Sequence, residues 1–140
     1  MAILILTDAT VTINSVVLSD HVDSVAVTSA YDDVDITAMG ATAHAHAQGL
    51  SDDKITATFL QDFALTKVDA TLAPLYYNKT TFPVVVKPTS AAVSSTNPSY
   101  TISSALLLEY TPLDGKVGDR SEMQVTFTPA AGSAIVRGTT

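Results

Sequence analysis

Apolar and polar residues alternate with a period of two along most of this chain, the mark of half-buried strands. Ala9, Val11 and Ile13 alternate with Thr10 and Thr12. Asn14-Ser15 then predicts a tight turn into Val16-Val17-Leu18, because asparagine tolerates a left-handed backbone. A strand from His21 to Ala30 presents Val25 and Val27 to one face, and a second runs from Val34 to Thr37 after Tyr31-Asp32-Asp33. Ile55, Ala57 and Phe59 alternate with Thr56, Thr58 and Leu60, and Met123, Val125 and Phe127 with Gln124, Thr126 and Thr128. Phe82 to Lys87 is a dense β-branched run whose Pro83 cannot donate to a ladder, which places it at a strand start or a sheet edge.

Two stretches depart from this period. Val68, Leu72, Leu75 and Tyr76 recur at helical spacing, with Thr66 and Asp69 as a short-armed capping pair, and Pro74 makes the helix short, kinked or finished near Ala73. Ala38 to Asp52 joins two strand patterns yet is too apolar for an ordinary solvated loop. A connection longer than about 12 residues in a compact domain is usually functional or mobile. Thr89 to Ser99 and Thr111 to Glu122 are loops, Tyr100 to Tyr110 a further strand, and residues 130–140 a trailing tail. The fold class expected is mainly β: a β-sandwich or partly rolled barrel with one short flanking α-helix and a long inter-strand loop.

At 140 residues the pattern makes a single domain, 1–140, with an N-terminal arm over 1–8. Ile3, Leu4, Ile5 and Leu6 in that arm are too few to span a bilayer, which takes about 20 apolar residues. No membrane anchor is expected, and the run suits an arm docking on a partner. Without cysteine there is no disulfide framework, thiolate metal site or cysteine nucleophile. The formal charge of -7 disfavours a firm grip on phosphates, which needs clustered Lys and Arg. With 46% hydrophobic and 15% charged residues, the chain carries more apolar surface than a small monomer exposes, which suggests burial between subunits.

Enzymatic chemistry is hard to find. Phosphate loop, nucleophile elbow and zinc-protease helix are all absent. His44 and His46, two apart, would share one face of a strand and with His21 or Asp53 could bind zinc. The plainer reading makes them polar contacts at an interface, and the expectation is no metal, no cofactor and no enzyme. Asp62 with Asp69 or Glu109 is the one carboxylate couple to weigh as acid and base, and Asp32, Asp33 and Asp35 read as solvated turn charges.

Three segments together resemble the tail tube (major tail) proteins of long-tailed bacteriophages with flexible, non-contractile tails. They are DVDITAMGATAHAHAQGLSDDKITATFLQDF, the helix VDATLAPL before a β-rich return, and YTPLDGKVGDRSEMQVTFTP, in which a loop with Pro and two Gly leads into the final strand. The resemblance implies a structural virion protein, assembled in the host cytoplasm, whose rings, commonly hexameric, stack into the hollow tube for DNA ejection. It implies as partners further copies of the chain and other tail proteins (tape measure, terminator, tail tip), with double-stranded DNA passing transiently and without specificity. The long loop, 37–52, would reach the next ring. Its interface residues would be Thr37, Ala38, Met39, Gly40, Ala41, Thr42, His44, His46, Gln48, Gly49 and Leu50, with Gly40 and Gly49 where the backbone leaves and rejoins the sheet. Other readings are another virion part on a related fold (capsid decoration, terminator, tail-tip subunit) or a ligand-binding β-sandwich.

Overall fold

The computed structural model describes residues 3–140, so the first two residues assigned to the arm lie outside it. The strands are β1 (Thr10–Ile13), β2 (Val16–Val17), β3 (Val22–Thr28), β4 (Tyr31–Asp35), β5 (His46–Ser51), β6 (Lys54–Leu60), β7 (Phe82–Lys87), β8 (Ser99–Leu107), β9 (Glu122–Pro129) and β10 (Ile135–Gly138), with one helix, α1 (Val68–Tyr77). The larger sheet has the order β2-β1-β7-β8-β9-β6-β3, and β10 also pairs with β8. All of its pairings are antiparallel. A single 3-10 turn, Ser19–His21, joins β2 to β3, the two ends of that order. They face each other across a groove lined by Val17, Ser19 and Val22 to Val25, so the sheet is a partly rolled barrel.

The alternation seen in sequence is what fills the barrel. Val11 and Ile13, Ile55, Ala57, Phe59, Val84, Ile102, Val125 and Phe127 form one buried cluster with Val68, Leu72 and Leu75 of α1. Phe127 meets both Phe59 and Phe82 edge to face, at centroid distances of 6.4 and 5.8 Å. Such aromatic pairs add about 1 kcal/mol each beyond the area they bury. Asn14 and Ser15 both have positive φ, 48° and 68°, as a two-residue hairpin turn requires.

Pro83 sits second in β7, at the strand start as expected, but not at an edge, since β7 lies between β1 and β8. The sheet accommodates it with a bulge. Phe82 pairs with Ala105 and Val84 with Ile102, so Ser103 and Ser104 together oppose the proline that has no N–H to offer. The extra residue turns Ala105 and Leu107 inward while Leu108 is left exposed.

Two boundaries differ from the sequence reading. The helix runs through Pro74 to Tyr77, and Thr66 does not cap it: Thr66 has φ 64°, its hydroxyl donates to the Leu65 carbonyl, and Lys67 is the capping residue. Burial of Leu72 and Leu75 on either side of the proline offsets the ladder bond it removes. Residues 130–140 are not a trailing tail, because β10 pairs residue by residue with Ser99–Ile102 of β8. Arg137 and Gly138 disguise the strand, whose apolar content is only Ile135 and Val136. Among the described residues no helix is long and apolar enough to cross a membrane.

Candidate assembly surface

Between β3 and β6 the chain leaves the barrel and returns as a separate two-stranded sheet, β4 with β5. The segment expected as a loop over 37–52 is therefore partly strand. Its first part, 37–45, forms the tip, while His46, Gln48, Gly49 and Leu50 belong to β5. Alternating small residues were legible, but Ala47 and Gly49 hide the strand because neither is a strong β-former. No residue of β4 or β5 is buried, and Ile36, Met39 and Leu50 are exposed.

Local bonds define the ribbon. Asp35 pairs with His46 in register, the Ile36 N–H donates to the Ala45 carbonyl at 2.9 Å, and the Ala45 N–H donates to the Thr37 hydroxyl at 2.8 Å. Thr37 thus adds a side-chain rung to the ladder. Its own N–H donates to Asp35 Oδ1 at 2.9 Å. These bonds from Thr37, with His44 a smaller contributor, hold the Asp35 carboxyl below the usual range. Beyond the rung lie Ala38 and Met39, Gly40 with φ 88°, Ala41, whose N–H donates to the Ala38 carbonyl, and Thr42.

Gly49 is not a hinge. It sits within β5, where a Cβ would lie 2.9 Å from Val34 Cγ2 and 3.1 Å from the Asp32 Cβ, beside the register shift between Tyr31 and Asp33. Only glycine lets the two backbones approach there.

The two imidazoles share one side of the ribbon, with ring centroids 6.3 Å apart. His46 Nδ1 lies 2.7 Å from Asp33 Oδ1 and His44 Nδ1 3.5 Å from Asp35 Oδ2. Neither His21 nor Asp53 joins them. His21 is held on both ring nitrogens, by Asp20 at 2.9 Å and Asp62 at 2.8 Å, with Lys67 on the far oxygen of Asp20. The Asp20 bond leads in raising the His21 pKa; burial opposes it, and the bond to Asp62 adds to the rise.

Asp53 is buried and structural. Its Oδ1 accepts from the Ala30 N–H at 3.2 Å and its Oδ2 from the Ile135 N–H at 2.9 Å, and the Asp52 N–H donates to the Ala30 carbonyl at 2.7 Å. The base of the ribbon is thereby clamped to the barrel and to β10 by one carboxylate. The sequence signal for this role is slight: a second acid directly before an alternating strand.

The acid-base couple is likewise taken up. Asp69 accepts from the Tyr110 hydroxyl at 2.6 Å, and Asp62 faces His21. Burial, with Asp69 beside it, pushes the Tyr110 phenol up to about 12.

The arm residues Ile3, Leu4, Ile5 and Leu6 stand outside the barrel, between 51% and 89% exposed. Asp8 fixes the base of the arm by accepting from the N–H and hydroxyl of Ser90.

No family model and no curated protein matches the chain. Solved structures do. A chain from "Cryo-EM Structure of an Extracellular Contractile Injection System, PVC sheath/tube terminator in extended state" aligns with a TM-score of 0.71 at 13% identity, over 98% of this chain and 97% of its own length. A chain from the PVC sheath-tube complex in the extended state gives 0.66 at 12%, over 95% and 89%. One from the virion of a native gene transfer agent (GTA) particle gives 0.64 at 10%, over 92% and 95%. At these identities the likeness is one of fold: along nearly its whole length this chain is built like chains of contractile injection system and gene transfer agent particles.

Proposed function

We propose that the chain is a non-enzymatic structural subunit that polymerises as stacked rings into the hollow tube of a phage-like tail, the conduit for DNA ejection. The observation that supports this reading is the end-to-end correspondence of fold with chains of contractile injection and gene transfer agent particles, 98% of this chain against 97% of one of them. The sequence likeness favours the flexible, non-contractile class and rings of six. The exposed ribbon, with Thr37 to Leu50 at and behind its tip, is the element that reaches the next ring, and Ile3 to Leu6 are a second contact. A formal charge of -7 suits a lumen past which DNA slides, since carboxylates repel phosphate.

A tail terminator is the second reading, favoured by the fold likeness to a chain of the PVC sheath/tube terminator structure. Electron microscopy of the purified full chain separates the two. Long tubes of constant width support the tube, closed rings that never stack support the terminator, and folded monomers at all concentrations overturn both. A ribbon truncated by joining Asp33 to Gln48, which are paired neighbours, through Asn-Gly should leave a folded subunit that forms no tube. Normal tubes from that variant would remove the ribbon from the contact.

A further inference from the structure

The ribbon carries an unusual charge arrangement for an element that must approach chains of net charge -7. Between Tyr31 and Asp52 its charged groups are the carboxylates Asp32, Asp33, Asp35 and Asp52, with no lysine or arginine. The only groups there able to become positive are His44 and His46, and each faces a carboxylate across the ribbon. The cleft around His46 is lined by Tyr31, Asp32, Asp33, Ala47 and Gln48, all from the ribbon itself. On the His44 side the charged neighbour is Asp35, at 3.5 Å.

We infer that His44 and His46 make assembly through the ribbon pH-sensitive, docking on a second copy of the chain being favoured when both imidazoles are protonated. Histidine is the side chain that ordinarily changes charge between about pH 5 and 8. Protonating the pair halves the net negative charge of the ribbon, so repulsion from the acidic neighbour falls where the two surfaces meet. This rests on the reading of the ribbon as a contact between subunits. It adds a regulation that the fold alone does not supply.

The test measures the critical concentration for polymerisation of the full chain by pelleting, at constant ionic strength, at pH 8 and pH 6. Wild type should polymerise at about fivefold lower concentration at pH 6, the scale of two exposed charge pairs. His44→Gln with His46→Gln should show the same value at both pH values, while His21→Gln, which removes the remaining histidine, should keep the difference. Should the double glutamine variant form no polymer, Asp33→Asn with Asp35→Asn decides. It removes two negative charges permanently and should bring the pH 8 value of the histidine-containing chain down to the wild-type pH 6 value; no change overturns the inference. Tubes indifferent to pH, or a glutamine variant that keeps the full difference, also overturn it. A folded wild-type chain that polymerises at neither pH instead overturns the assembly reading, and this inference with it.

Discussion

The carboxylate of Asp53 holds the N–H of Ile135 at 2.9 Å, across 82 residues of sequence, while its other oxygen holds Ala30. Asp53→Ala strands two amides at a buried position. Each lost bond to a charged group costs about 1.5–3 kcal/mol, discounted where water can enter. The expected outcome is a fall in Tm of about 5–10 °C, with faster amide exchange over Ile135–Gly138 than elsewhere in the sheet. Uniform loss of protection across all strands would mean that β10 is not the segment the clamp holds.

Ser15 has φ 68° without being glycine, directly after Asn14 at 48°. Ser15→Gly converts the turn to Asn-Gly, the pair this geometry favours, and should stabilise by about 0.5–1 kcal/mol. Chemical denaturation checks it; a lower midpoint would show that the Ser15 side chain contributes something its geometry does not reveal.

Phe127 is fully buried between Phe59 and Phe82. Phe127→Ala removes two edge-to-face contacts and leaves a cavity at the centre of the barrel, costing about 3–5 kcal/mol. Expression with a low, broad thermal transition is expected, whereas Met39→Ala, at an exposed ribbon tip, should leave Tm within about 1 °C.

Stability should vary with pH through His21 and its two acids. The folded His21 pKa is raised, so its contribution is complete below about pH 6.5, its unfolded value, and is lost as pH climbs through the folded value. Asp20 is lowered chiefly by the bond to His21, and Asp62 by the Ala64 N–H and then by His21. Their contributions are present above about pH 3.8 and lost as pH falls through the folded values. Tm should peak between those limits, and His21→Gln should flatten the alkaline side. A variant that retains the wild-type decline above pH 6.5 would refute the assignment.

The barrel was legible because period-two burial is written directly in β1, β6, β7 and β9, and the apolar face of α1 in Val68, Leu72 and Leu75. What was not legible depended on partners distant in sequence. A bulge at Ser103-Ser104 exists only opposite Pro83, and β10 is a strand only because Ser99–Ile102 offer it an edge. Thr66 and Asp69 looked like a cap, but the positive φ at Thr66 turns its hydroxyl away from the helix. In the exposed ribbon the small residues, Gly40 and the shared face of His44 and His46 could be read in advance. The pairing of β5 with β4 could not, because Gly49 is needed only once Val34 and Asp32 are placed against it.

The β4–β5 ribbon buries none of its own residues, and a lone two-stranded hairpin is marginally stable in water. On the proposed reading, docking on a second copy would also immobilise side chains that the exposed ribbon leaves free, at a cost of about 0.5–1.5 kcal/mol for each flexible side chain fixed. That cost would act as a brake on spontaneous nucleation: dilute subunits would stay apart until an existing end offered several contacts at once, so growth would outpace initiation and a few long assemblies would form in place of many short ones.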